Sequence, residues 1–257
     1  MQKCITPLTD FQWQYIEKIV DNGRQRKTCL RMIVDALLYI NRTGIQWRNI
    51  DSKYRSKMPI IQYYFYKWQA DNTWKKVLTF LVEQFRIEME CAPQPSMIAI
   101  DSQSIKLVSF IKEDKGIDAN KRINGRKRHL IVDKLGLPLA ISVSGADAHD
   151  GIEGIELLWQ QQTNSQLELI RADNSYKGEF VKAANIYGWK VEFGQKPESQ
   201  KGFIPQKGRW QVERSFSWLS FYRRLNKDYE KTAQSAVCFI QLAFINIILA
   251  RLQRFKT

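Results

Sequence analysis

Three acidic residues occupy positions where the surrounding sequence is apolar. Asp101 follows an apolar run at residues 97–100, Asp173 follows a second run at 167–172, and Glu213 interrupts an aromatic-rich helical pattern. Carboxylates from separated elements can converge on a hard divalent cation. Crowding three of them together favours a bound cation, because like charges repel. Two such cations about 3.5–4 Å apart can activate a nucleophile and stabilise the leaving oxygen of a phosphodiester.

Each acid has a simpler interpretation when it is taken alone. An aspartate at a strand end is often a turn former or a helix cap. Glu213 could form a surface ion pair with Arg209 or Arg214, which would contribute little stability. Only the three acids together, with the order of the predicted elements and the basic charge of the chain, favour a metal site.

Other titratable residues are weaker candidates for the site. The chain has only two histidines, His129 and His149, which argues against a histidine-based hydrolase but not against cations held by carboxylates. Asp147 and Asp150 are expected to cap a helix that begins near Gly151. These two aspartates are the reserve candidates if one of the three acids is not a ligand.

The charge balance indicates a polyanionic partner. The chain has 257 residues, with 40 lysines and arginines against 26 aspartates and glutamates, a formal net charge of +14. Such an excess attracts nucleic acid, and an anionic membrane surface is the weaker alternative. The residues expected to contact DNA are Arg24, Arg26, Lys27, Arg42, Arg48, Lys106, Arg126, Lys127, Arg128, Arg209 and Arg214.

The cysteines and the apolar segments favour a reducing, cytoplasmic setting. Cys4, Cys29, Cys91 and Cys238 are isolated from one another, so neither a zinc ribbon nor a dithiol redox site is expected. The N-terminus lacks the pattern of a secretory signal. The apolar stretch 236–250 is shorter than a bilayer requires, so we expect it to be a core helix.

The first part of the chain has the periodicity of short helices. We expect them over residues 11–20, 29–41, 60–70 and 73–88. Thr9 is expected to cap the first and Gly44 to end the second. Short basic helices joined by tight turns are typical of a helix-turn-helix-like DNA-binding domain, although a plain helical cap on a larger domain is the alternative. Two prolines within residues 92–95 end this part, so we predict a helical domain over 1–92.

The second part alternates between strands and helices. We expect strands over 97–100, 128–132, 137–144, 167–172 and 189–193, and helices over 151–161, 178–187 and from 210 onward. This order predicts an α/β domain over 93–257, a ribonuclease-H-like mixed sheet with helices on both faces. Asp101 and Asp173 both end strands in this scheme, and adjacent parallel strands would bring them side by side.

Several blocks of the sequence resemble a known family. They are LTDFQW at 8–13, NRTGIQWR at 41–48, IDSQSIK at 100–106, NGRKRH at 124–129, RADNSYKG at 171–178, and WQVER, FSWL and YRRL within 209–225. Over nearly its whole length the chain resembles the DDE transposases of bacterial insertion sequences, of the family usually numbered five.

The resemblance implies a specific activity and cofactor. It implies that Asp101, Asp173 and Glu213 are ligands of two Mg²⁺ ions, with Mn²⁺ as an alternative. It also implies that a homodimer binds terminal inverted repeats, nicks the element ends with water, and joins the freed 3′-hydroxyl groups to target DNA. Two other functions stay open, a ribonuclease-H-like nuclease or resolvase without strand transfer, and a catalytically inactive copy that only binds DNA.

Overall fold

The structure, a computed structural model, describes residues 7–21, 23–194 and 210–255. In these ranges the α-helices are α1 (Asp10–Val20), α2 (Leu30–Thr43), α3 (Ser52–Arg55), α4 (Met58–Ala70), α5 (Thr73–Glu88), α6 (Asp150–Trp159), α7 (Glu179–Ile186), α8 (Trp210–Leu219) and α9 (Ala233–Leu252). The strands are β1 (Met97–Lys106), β2 (Gly116–Asp118), β3 (Ile123–Asp133), β4 (Pro138–Gly145), β5 (Leu169–Ala172) and β6 (Lys190–Phe193).

The chain forms two compact units. The first combines Met1–Glu90 with two C-terminal segments, Leu219–Asn226 and Cys238–Thr257, and the second contains Cys91–Trp218 and Lys227–Val237. This division differs from the predicted assignment of all of 93–257 to one domain, because the last helix carries core residues of the first unit. The functional boundary after residue 92 stays a prediction.

The predicted N-terminal helices are confirmed, and their ends have clear local causes. Thr9 caps α1 in a capping box, where its hydroxyl accepts from the Gln12 amide and the Gln12 side chain accepts from the Thr9 amide. Gly44 ends α2 with φ of +69°, a conformation that a residue with a Cβ atom rarely adopts. The four-residue α3 was not predicted.

Helix α9 is a core helix, as predicted, although it is longer than the sequence suggested. Its apolar segment, Ala233–Phe255, is long enough to cross a membrane by length and composition, but 78% of the most apolar window is buried inside the protein. Within the first unit, the Asn41 side chain donates to the Phe239 carbonyl at 2.9 Å, and the rings of Phe65 and Phe239 stack at 4.8 Å. The helical region predicted from residue 210 onward consists of two α-helices, because α8 ends at Leu219 and α9 begins at Ala233.

The second unit contains a six-stranded mixed sheet of the ribonuclease-H-like type. Its order is β2-β3-β1-β5-β6, with β4 also paired to β3, and the two parallel pairs are β1–β5 and β5–β6. The predicted hairpin is the β3–β4 pair. Strand β1 continues to Lys106, well past its predicted end, because it pairs with β3 from Ile98 to that residue.

One face of the sheet supports the main apolar core of this unit. Ile98 and Ile100 of β1 pack with Ile170 and Ala172 of β5 in a fully buried cluster. Helices α6 and α7 supply the other members of the cluster, including Leu157, Leu158, Phe180 and Ala184. Because side chains alternate along a strand, the odd-numbered residues of β1 project from the opposite face.

Candidate active site

Asp101 lies in β1, and Asp173 directly follows β5, the adjacent parallel strand. The β1–β5 register pairs Met97 with Leu169, Ile98 with Ile170 and Ala99 with Arg171. The same offset, continued past the last pair, brings Asp101 level with Asp173. Asp173 has an extended backbone, with φ of −91° and ψ of 179°, so the alternation of side chains between the two faces of the sheet continues from β5 to Asp173. Neighbouring strands lie about 4.8 Å apart. The two aspartates therefore project side by side, from the face opposite the apolar core.

Each aspartate accepts hydrogen bonds from a serine that follows it closely in the chain. Oδ1 of Asp101 accepts from the Ser102 amide at 2.8 Å, and Oδ1 of Asp173 accepts from the Ser175 amide at 2.8 Å and from the Ser175 hydroxyl. Asp173 thereby caps a short 3-10 helix at Asn174–Tyr176. Its predicted position at a strand end is confirmed, whereas Asp101 lies inside β1.

Glu213 lies on α8 and is not grouped with the two aspartates. Its neighbours Arg214 and Ser215 donate to the carbonyls of Leu135 and Gly136, each at 2.8 Å. The turn that contains Leu135 and Gly136 directly follows Asp133, which pairs with Ile98 of β1. Asp101 lies three residues after Ile98, or roughly 10 Å farther along the strand. Among the described residues, no group of three His, Cys, Asp or Glu side chains could hold a metal ion. The aspartate pair supplies oxygen donors that suit a hard cation, and Glu213 as the third ligand stays a prediction.

Arg126 is part of the interior, which corrects its predicted contact with phosphate. Its side chain has no exposed surface. The guanidinium donates to the carbonyls of Glu113, Glu230 and Lys231 at 2.7–3.0 Å, and it reaches the buried carboxylate of Asp228 at 3.4 Å. These contacts tie β3 to the chain that precedes α9.

Lys127 and Arg128 are buried as well, on opposite faces of β3. Lys127 Nζ donates to the Ala148 carbonyl at 2.8 Å and lies 3.1 Å from Asp150. Arg128 is opposite Gln103 in the β1–β3 register and so shares the face of Asp101. Burial lowers the pKa of Arg128 to about 10, partly offset by Asp228. The predicted basic cluster is buried at these two residues, because β3 lies in the middle of the sheet, and their contact with DNA stays a prediction.

His129 belongs to the core face and not to the face of the aspartates. It is opposite Ser102, its Nε2 lies 2.9 Å from the Ser144 hydroxyl, and it is fully buried. Burial lowers its pKa to about 4, with Lys127 lowering it further and Asp150 opposing the shift. It is therefore neutral at physiological pH.

The start of α6 differs from the prediction that Asp147 and Asp150 cap it. His149 is the capping residue, because its Nδ1 accepts from the Gly151 amide at 3.2 Å. Asp150 is the first residue of the helix and pairs with Lys127. A histidine was not expected here because it is an uncommon cap.

Two of the family-like sequence blocks pack against each other in the first unit. The Arg42 guanidinium lies 5.0 Å from the Tyr222 ring centre, and Arg224 donates to the Ile45 carbonyl at 3.4 Å. A Cβ atom on Gly44 would lie 3.0 Å from the Cβ of Arg223. Residues 41–48 and 222–225 thus form a structural contact, a role for Arg42 that the sequence did not reveal.

The remaining predicted DNA contacts fall into two groups. Arg26 pairs with Asp21 and donates to the Tyr64 hydroxyl, while Arg214 lies between the rings of Trp210 and Trp218, so both have packing roles. Arg209 lies outside the described residues. The exposed members are Arg24, Lys27, Arg48 and Lys106.

Comparison with known proteins gives the family. Residues 8–78 match the family model described as "Putative transposase of IS4/5 family", and residues 92–249 match the one described as "Transposase DDE domain". The chain is 27% identical over 138 residues to the "Putative transposase for insertion sequence element IS402" of Burkholderia cepacia. That alignment covers 51% of this chain and 65% of the relative, so the chain spans less than two thirds of the relative's length. Because the second model matches more than half of the chain, the protein belongs to the family of transposases with a DDE domain.

Proposed function

We propose that this protein binds the terminal inverted repeats of an insertion sequence, cleaves DNA at the element ends, and joins the ends to target DNA. The observation that carries the proposal is the parallel β1–β5 register, which, continued past its last pair, brings Asp101 level with Asp173 on one face of a ribonuclease-H-like sheet. The net charge of +14 and the exposed cations Arg24, Lys27, Arg48 and Lys106 supply attraction to DNA. A cytoplasmic location and a homodimer that holds two element ends are parts of the same proposal.

The proposed roles of the acids follow from their positions. Asp101, Asp173 and Glu213 would hold two divalent cations, Mg²⁺ or Mn²⁺, which activate the attacking oxygen and stabilise the leaving oxygen. The backbone hydrogen bonds to Asp101 and Asp173 fix the orientation of their carboxylates. Glu213 is the proposed third ligand, and the contacts of Arg214 and Ser215 with the Leu135–Gly136 turn hold its helix α8 against the sheet.

The reaction needs two phosphoryl transfers. In the first, a water oxygen bonds to the phosphorus at the element end, the P–O3′ bond breaks, and the 3′ oxygen leaves as a hydroxyl group. In the second, that 3′-hydroxyl oxygen bonds to a phosphorus of target DNA and displaces another 3′ oxygen. Both steps need a carboxylate-rich face beside a cationic surface, because charge develops on the attacking and leaving oxygens.

The test separates chemistry from binding. Asp101→Asn, Asp173→Asn and Glu213→Gln should each lower end cleavage at least about a hundredfold while DNA affinity stays near that of the wild type. Mg²⁺ should raise the melting temperature of the wild type and have less effect on Asp101→Asn and Asp173→Asn. A variant that cuts at the wild-type rate would refute the role of that residue.

The same assay distinguishes the two other functions. Cleavage without any joined product would identify a nuclease or resolvase. DNA binding that is independent of Mg²⁺, with no cleavage product, would identify an inactive DNA-binding copy. A 3′ end joined to a second duplex supports the transposase.

A further inference from the structure

The outer face of α4 exposes two large aromatic side chains. Tyr63 and Tyr66 are 57% and 56% exposed, on a helix whose other aromatic residues are buried. Pro59 and Ala70 are exposed on the same stripe, at helical spacings of four, seven and eleven residues from the first member. Exposed tyrosines on one helix face are typical of a contact surface, because the ring packs while the hydroxyl stays polar.

The inner face of α4 is fixed firmly in the first unit. Ile61, Tyr64, Phe65 and Trp68 are buried. The Trp68 ring meets Trp74 edge-on at 5.0 Å, and Phe65 stacks on Phe239. The exposed stripe is therefore presented by a rigid element, as docking into a groove requires.

The approach to α4 is a helix and a tight turn. Helix α3 ends at Arg55, and only Ser56 and Lys57 separate it from Met58, the first residue of α4. The Lys57 amide donates to the Tyr54 carbonyl at 2.9 Å, and the Tyr54 side chain is buried. At 1.5 Å per residue, the thirteen residues of α4 span roughly 20 Å, and a major groove about 12 Å wide admits a helix.

The charge of this segment is of one sign. Residues 52–70 contain four cations, Lys53, Arg55, Lys57 and Lys67, and no acidic residue. Two copies of such a surface would repel each other, which argues against a contact between two protein chains through it. A polyanion is the complementary partner.

We propose that α4 is the helix that enters the major groove of the element-end DNA, with Tyr63 and Tyr66 on base edges and sugars. Arg55, Lys57 and Lys67 contact the phosphates on the two sides of the groove. The inference rests on the proposed function and deepens it, because it assigns the reading element within the N-terminal helices. It also assigns DNA contact to Arg55, Lys57 and Lys67, which were not among the DNA-contacting residues expected from the sequence.

The first test compares two full-length variants. The probes are a duplex carrying the inverted repeat that flanks the coding region and a scrambled duplex of the same composition, with affinity measured by fluorescence anisotropy. The double variant Tyr63→Ala/Tyr66→Ala should bind the repeat about tenfold more weakly, since two polar contacts are lost, and its preference over the scrambled duplex should shrink. Ile87→Ala, on the exposed face of α5, should leave both affinities unchanged.

The second test uses charge and does not depend on packing. Lys57→Gln should reduce the slope of log affinity against log salt by about 1, because one phosphate contact is lost. Lys18→Gln, exposed on α1, should leave the slope unchanged. A wild type that shows no preference for the repeat would refute the proposed function. If the wild type prefers the repeat but Tyr63→Ala/Tyr66→Ala and Lys57→Gln both bind DNA as the wild type does, the assignment of α4 is overturned. The proposed function would stand in that case.

Discussion

The buried position of Arg126 predicts a large loss of stability on its removal. Arg126→Met keeps much of the apolar stem but removes the donors to three carbonyls and to Asp228. Breaking a buried ion pair from one side costs about 3–5 kcal/mol, because the remaining charge is left in the interior. We place this substitution in the same range, since Asp228 is nearly fully buried. Such a cost is a large part of a typical stability of roughly 5–15 kcal/mol.

The matched control is Lys106→Met, because the sequence assigned both residues to the same DNA-contacting cluster. Lys106 is exposed, so its removal should change the free energy of unfolding by no more than about 0.5 kcal/mol. It should instead reduce the salt dependence of DNA binding. Arg126→Met should do the reverse, with unfolding at much lower urea concentration and an unchanged salt slope in the folded protein.

Urea unfolding followed by tryptophan fluorescence measures the stabilities, and anisotropy at several salt concentrations measures the slopes. The double variant Arg126→Met/Asp228→Asn should cost less than the sum of its single variants, because removing both charges leaves no uncompensated ion. Wild-type urea resistance in Arg126→Met, with a reduced salt slope, would show that the residue contacts phosphate and would refute the structural role.

Two further predictions concern the core of the second unit. The pKa of His129 is lowered to about 4 from an ordinary 6.5, so the unfolded chain binds more protons between these values. Stability should therefore fall by roughly 3 kcal/mol as pH drops from 6.5 toward 4, and His129→Gln should flatten this dependence in urea titrations; equal pH profiles would contradict it. Gly154→Ala would place a Cβ atom 2.8–2.9 Å from the rings of Tyr176 and Phe180 and should cost about 1–3 kcal/mol, measured as a lower melting temperature.

Much of the local structure could be predicted from the sequence, because local structure depends on nearby residues. The apolar periods gave the N-terminal helices, and Gly44 marked the end of α2 by its tolerance of positive φ. The turn at residues 134–136 gave the β3–β4 hairpin. The end of β1 could not be predicted, because its polar second half is a strand only through its pairing with β3.

The three candidate acids were found from residue type and context, and the sequence predicted that Asp101 and Asp173 would lie side by side if their strands were adjacent and parallel. The level positions of Asp101 and Asp173 follow from the β1–β5 register, which sequence-distant hydrogen bonds fix. The position of α8 follows from the contacts of Arg214 and Ser215 with a turn some eighty residues away in sequence. Convergence of Glu213 with the pair stays a prediction.

The sequence by itself determined the net charge, the types of element and the identity of the three acids, since each depends on composition or local pattern. Only the tertiary structure decided which cations meet solvent. In the sequence, Arg126 and Lys106 are both basic residues next to a predicted strand. In the structure, backbone carbonyls enclose Arg126, whereas Lys106 is exposed. The physical reason is that burial is a property of the packed sheet, in which neighbouring strands and loops replace water around some charges and leave it around others.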